Sequence, residues 1–232
     1  MEVRDSERQE KNVFDKNAVP VTLYTNTSLV TQARIHFEQA VPQSITLYDF
    51  FSPMFYSSLK QSIFGLHFSS FYDPTHARFG ISTLGASQAV FEHADVARAL
   101  VDISGALNVK VLGAFCFSSG SYTILSDDGS SSGLLSFFDG KSDFSSKMML
   151  RMKKKNEKLA PRTLAIFDFS SEWDPTWGGR DVFVDGTGNF VYVPIKGNTV
   201  TIVSLLGLQH FVEYVNHYAE DRKRFVVLCE LV

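Results

Sequence analysis

The chain has 232 residues, 44% of them hydrophobic and 20% charged, enough for one sheet-rich domain with helical additions and a large core. A net charge of −3 leaves no electrostatic footprint for nucleic acid, so that class of partner is excluded. Cys116 and Cys229 each lie inside an apolar run, which excludes a disulfide scaffold and predicts two buried free thiols.

The opening MEVRDSERQEKN is charged and lacks the apolar core of a secretory signal. No apolar run is long enough to span a bilayer, so the expectation is a cytoplasmic protein with no membrane partner. Residues 1–16 read as a loosely ordered tail, and 17–232 as a single domain. VPVTLYTN reads as a first strand. SLVTQARIHFEQA follows Thr27 or Ser28 as a short helix with Leu29, Val30, Ala33, Ile35 and Phe37 as its apolar positions. ITLYDFF reads as a strand. Ser52 then stands at an N-cap and Pro53 at the first helical position, where its missing N–H costs nothing. Met54, Phe55, Leu59, Ile63 and Phe64 form a helical stripe that Gly65 ends. HADVARALVDISGAL predicts a further amphipathic helix with Val96, Leu100, Val101 and Ile103 facing inward.

The character changes after residue 107. VKVLGAFCF, SYTIL, GLLSFF, TLAIFDF, DVFVD, FVYVP, TVTIVSL, HFVEYV and RFVVLCEL are short β-rich runs separated by turn residues, the spacing of an antiparallel sandwich or barrel. SSKMMLRMKKKNEKL interrupts them as a basic, helix-prone insert, read as a solvated helix or a lid over a substrate. Residues 17–107 are therefore predicted to be a helix-rich support and 108–232 a β-sandwich core, an α+β architecture with helices outside one sandwich.

Phosphate loops, nucleophile elbows and closely spaced Cys/His clusters are absent from the sequence. TILSDDGSS places two adjacent carboxylates, Asp127 and Asp128, where a strand stops. His210 follows the turn between two β-runs, at one mouth of a sandwich. Arg224 opens an otherwise apolar run, and a lone cation there needs a carboxylate partner.

The segment RTLAIFDFSSEWDPTWGGRDVFVDGTGNFVYVPIKGNTVTIVSLLGLQHFVEYV adds an ordered pattern. WDPTWGG precedes a strand, VPIKGN precedes another, and a histidine and then an arginine follow. This run resembles the C-terminal half of iron(II)/2-oxoglutarate-dependent dioxygenases of the prolyl hydroxylase type, and within them the ribosomal prolyl hydroxylase group, which carries HDD where SDD stands here. The resemblance covers roughly residues 45–230 and is strongest over 162–230.

It implies a double-stranded β-helix, that is, a jelly roll. It also implies Fe(II) held by two histidines and one carboxylate, with 2-oxoglutarate as co-substrate paired to an arginine. Carried over by residue, Asp128 and His210 fall on metal ligands and Ser126 stands in place of the first histidine, with Asp127 turned to solvent. Arg224 falls on the 2-oxoglutarate arginine, Arg222 being a poorer candidate, and Tyr122 is expected to face the pocket. Trp177, Gly178, Gly179, Pro194 and Asn198 match structural positions.

A serine hydroxyl is a poor iron ligand beside imidazole, so the implied site is degenerate unless another group such as His93 or His67 supplies the ligand. Two functions follow from the resemblance. One is a dioxygenase oxidising an unactivated C–H of a protein or small-molecule substrate. The other is an inactive protein of the same fold that binds a ligand or a protein partner.

Overall fold

Side chains alternate with a period of two between the faces of the central strands, and that alternation builds two cores on one sheet. In the computed structural model, which describes residues 22–73, 77–124 and 162–232, β11 (Arg224–Leu231) shows it best. Val226 and Leu228 enter one apolar cluster with Phe79, Phe115, Phe117, Ile166, Phe183 and Val212, all strand residues lining the interior of the jelly roll. Phe225, Val227, Cys229 and Leu231 enter the other, shared with helical residues such as Phe37, Leu59, Ile63, Leu100 and Ile103. One face of the strand thus closes the barrel and the other carries the helices.

The remaining strands are β1 (Ser44–Leu47), β2 (Ser69–Asp73), β3 (Ala77–Ser82), β4 (Val109–Phe117), β5 (Tyr122–Thr123), β6 (Thr163–Asp168), β7 (Asp181–Asp185), β8 (Phe190–Tyr192), β9 (Thr199–Ser204) and β10 (Leu208–Val212). Among the described residues they run β1-β9-β6-β11-β4-β3-β5-β10-β7-β8, all pairs antiparallel, with β2 attached to β3. This nearly closed antiparallel barrel with a few helices is the jelly-roll core expected from the sequence. Cys116 and Cys229 are buried free thiols, and burial pushes the Cys116 thiol up to about 11.

The helices are α1 (Thr27–Gln39), α2 (Pro53–Phe64), α3 (Gln88–Phe91) and α4 (Ala94–Ser104). None of the described helices is long and apolar enough to cross a membrane. Asn26, one residue before the expected cap, caps α1 through Ser28 N at 2.9 Å. Pro53 opens α2 as predicted. Met54 does not join its buried stripe but is 86% exposed, because the packed face of α2 is set by Leu59 and Ile63.

The described part of the run VPVTLYTN, residues 22–26, is not a strand. Thr22 makes a single bridge to Phe51, and its hydroxyl then accepts from Tyr24 N, closing a 3-10 turn over Leu23–Thr25. The hairpin β2–β3 lies inside the segment predicted to be helical support, and β3 sits mid-sheet between β4 and β5. The sheet therefore crosses the expected boundary at residue 107. The expected tail, GLLSFF and the basic insert lie outside the described residues.

Asn198 ties the N-terminal layer to the barrel. At φ +62° it holds the left-handed conformation that asparagine tolerates. Its side chain accepts from Phe51 N at 2.9 Å and donates to Phe51 O at 2.8 Å, both buried. Replacing Asn198 with alanine is expected to cost about 2–4 kcal/mol in urea unfolding, because two buried backbone groups lose their partners at a strained φ. Glycine relieves the φ term and is expected to cost less. Equal losses in the two variants would show that the paired bonds alone matter.

Candidate functional site

Four strands deliver ionisable side chains to the same interior. Asp168 ends β6 and Arg224 begins β11, on the faces that carry Ile166 and Val226 inward. Asp181 begins β7 opposite Val212, and His210 lies opposite Phe183. His210 and Asp181 are thus a diagonal cross-strand pair on one face, a spacing that two polar side chains can bridge. The imidazole also stacks on Phe183, with ring centroids 4.4 Å apart.

These four residues form one buried chain of charge. His210 Nε2 lies 2.8 Å from Asp181 Oδ1. Asp181 Oδ2 lies 2.6 Å from Arg224 Nη1, and Arg224 Nε donates to Asp168 Oδ2 at 3.0 Å. Arg224 Nη1 also donates to Gly179 O at 2.7 Å. The arginine is 0% exposed, Asp168 and Asp181 1% and His210 3%.

Burial pushes the Asp181 carboxyl up, but the Arg224 charge and the His210 hydrogen bond outweigh it and bring the group down to about 2. For Asp168 burial wins over the same guanidinium, and its carboxyl is raised. Burial lowers Arg224, but the two carboxylates outweigh it and hold the guanidinium firmly protonated. With Asp181 ionised and acceptor-only, His210 Nε2 is the donor in this contact.

Gly178 and Gly179 make this packing possible. Both have positive φ, at +75° and +80°. A Cβ on Gly178 would overlap Tyr214 O, and one on Gly179 would sit 2.9 Å from Val215 Cγ2. Only a pair of residues without side chains lets this turn approach the 214–215 backbone and aim the Gly179 carbonyl at Arg224. Trp173 Nε1 donates to Gly178 O at 2.9 Å, and Trp177 packs edge-on against Trp173 at 5.4 Å. Pro194 is half-buried just beyond β8, ahead of Asn198.

Of the residues predicted to form the site, the structure brings His210 and Arg224 together, bridged by Asp181. Asp128, Asp127 and Ser126 lie outside the described residues. Tyr122 is half-buried on the outer side of β5, while its neighbour Thr123 turns inward and accepts from Val212 N at 2.7 Å; strand alternation reverses the expected direction of Tyr122. Arg222 is exposed and reaches only Glu172 at 3.4 Å, leaving Arg224 as the buried arginine of the two. His93 caps α4 through Asp95 N, and His67 is exposed.

Sequence reasoning missed Asp168 and Asp181. Each is a lone acid beside an apolar run, in TLAIFDF and GGRDVFVD, and Arg224 already required such a partner.

Among the described residues no group of three His, Cys, Asp or Glu side chains could hold a metal ion. Among the described residues Nδ1 of the buried His210 has no hydrogen-bond partner. The surroundings of Arg224 do not fit the distal carboxylate of 2-oxoglutarate. Two carboxylates already face one guanidinium. A third carboxylate would add like charge where burial makes it most costly. The prong without a partner among the described residues, Nη2, suits a neutral acceptor.

No protein-family model and no curated protein matches the chain. Solved structures do, at the level of fold. A prolyl-4-hydroxylase from Pseudomonas putida superposes with a TM-score of 0.58 at 10% identity, covering 86% of this chain and 98% of its own. A 2OG-Fe(II) oxygenase family oxidoreductase from Burkholderia pseudomallei gives 0.57 at 13% identity, covering 88% and 91%. A prolyl hydroxylase from Trichoplax adhaerens, in complex with a hypoxia inducible factor oxygen degradation domain peptide fragment, gives 0.58 at 10% identity, covering 94% of each chain. The chain therefore has the fold of these oxygenases.

Proposed function

We propose that this chain is a non-catalytic protein on the 2-oxoglutarate oxygenase fold, acting as a binding module. A single observation carries the reading. Arg224, the residue placed by resemblance on the co-substrate carboxylate, is wholly buried and already ion-paired with Asp168 and Asp181. The substitution of Ser126 for the expected histidine points the same way. The partner class we infer is a protein segment, since the Trichoplax structure holds a peptide on this fold. A groove of about 430 Å³ with Tyr122, Ile124, Phe211 and Tyr214 in its wall supplies aromatic and apolar contact on the outer side of β5 and β10.

A second reading, an iron(II)/2-oxoglutarate dioxygenase with a degenerate metal site, has its own support. His210 presents a buried Nδ1 with no partner among the described residues, and its other nitrogen is backed by a carboxylate, the arrangement that orients imidazoles toward metals. In that reading His210 and Asp128 hold the metal.

One assay separates the two. The full chain is incubated with Fe(II), 2-oxoglutarate and ascorbate under air. The binding-module reading expects succinate no faster than without protein, and no change in melting temperature on adding 2-oxoglutarate. Succinate formation that His210→Ala abolishes would overturn it in favour of the dioxygenase.

A further inference from the structure

The two carboxylates on Arg224 are held in different ways. Asp168 belongs to its own loop. Its Oδ1 accepts from Ser170 N at 2.8 Å, and its strand lies hydrogen-bonded beside that of Arg224. Among the described residues Asp181 receives no backbone donor through its side chain. Within them its oxygens meet Arg224 Nη1 and His210 Nε2, a guanidinium and an imidazole. That partner set is what a diffusible carboxylate would find if it entered this site. One acid would also suffice to partner one arginine, and here two face it.

We propose that Asp181 is a tethered ligand, its carboxylate filling from within the chain a carboxylate-binding site formed by Arg224 and His210. The inference deepens the reading that the Arg224 site is closed, and rests on it. It names the chemistry of the filled site: a single carboxylate on a carbon stem no longer than the aspartate side chain. Removing the tether therefore opens a small-monocarboxylate site whose size follows the side chain removed. Asp181→Ala keeps Cβ and vacates the volume of formate. Asp181→Gly also removes Cβ and vacates the volume of acetate. Neither space admits 2-oxoglutarate.

The test is thermal unfolding of wild type and both variants, titrated with sodium formate, acetate and chloride at matched ionic strength. Both variants are expected to melt well below wild type. Formate should raise the melting temperature of Asp181→Ala with saturation, recovering at least half the loss. Acetate should do the same for Asp181→Gly and exceed formate there. Wild type should respond to neither anion beyond chloride. Adding Arg224→Met to Asp181→Ala should abolish the formate response.

If a variant is unfolded in buffer, refolding on adding its matching anion supports the proposal, and failure to refold at saturating anion overturns it. A variant that folds but responds no more to carboxylates than to chloride also overturns it. The two readings fail separately. Succinate production by wild type removes the non-catalytic reading, while absence of rescue removes only the tethered ligand.

Discussion

Arg224→Met is expected to cost about 3–5 kcal/mol. The substitution keeps most of the apolar stem and removes the charge. It leaves Asp168 and Asp181, each 1% exposed, without the cation that holds them. A buried pair is only weak evidence of net stabilisation, but a buried carboxylate stripped of its partner is expensive. The two statements separate experimentally. If the cost comes from stranded charge, Arg224→Met combined with Asp168→Asn and Asp181→Asn should recover much of the loss, despite three changes in one core. Urea unfolding at neutral pH reads both variants. A single-variant loss below about 1 kcal/mol, the range of an exposed ion pair, would mean that water reaches the cluster.

The second large effect is expected at Gly178. Gly178→Ala places a methyl against Tyr214 O while holding φ at +75°. Gly105, at the C-cap of α4, shares that φ of +75°, and a methyl on it would meet nothing within 4 Å. Gly105→Ala thus isolates the conformational term, of the order of 1 kcal/mol. Gly178→Ala adds a collision with backbone, which cannot rotate away, and about 3–5 kcal/mol in total is expected. The same collision displaces the turn that aims Gly179 O at Arg224, so the variant should also loosen the charge cluster. Equal losses at Gly178 and Gly105 would show that the Tyr214 backbone yields.

These two positions also separate what sequence and structure contribute. WDPTWGG was legible as a turn, because paired glycines between a tryptophan-rich segment and a strand have few other uses. Which atoms the glycines must approach was not legible, since Tyr214 lies more than thirty residues away in the chain. Arg224 was legible as a buried cation in need of an acid. Its acids lie 56 and 43 residues upstream on other strands, and strand order rather than spacing selects them. The β2–β3 hairpin escaped for a related reason. Its outer strand is half-exposed, and its register is set by the β4 and β5 pairings of its partner, which no local pattern encodes.

The sequence by itself determined a core of short antiparallel strands with outer helices, and marked Arg224 as a cation in a buried run that needs an acid. Apolar β-runs and the turn residues between them act locally. Only the tertiary structure decided that the inward guanidinium meets the chain's own carboxylates. Long-range pairing sets which inward positions become neighbours, and in a dry interior a single added acid changes a site open to an anion into one already filled.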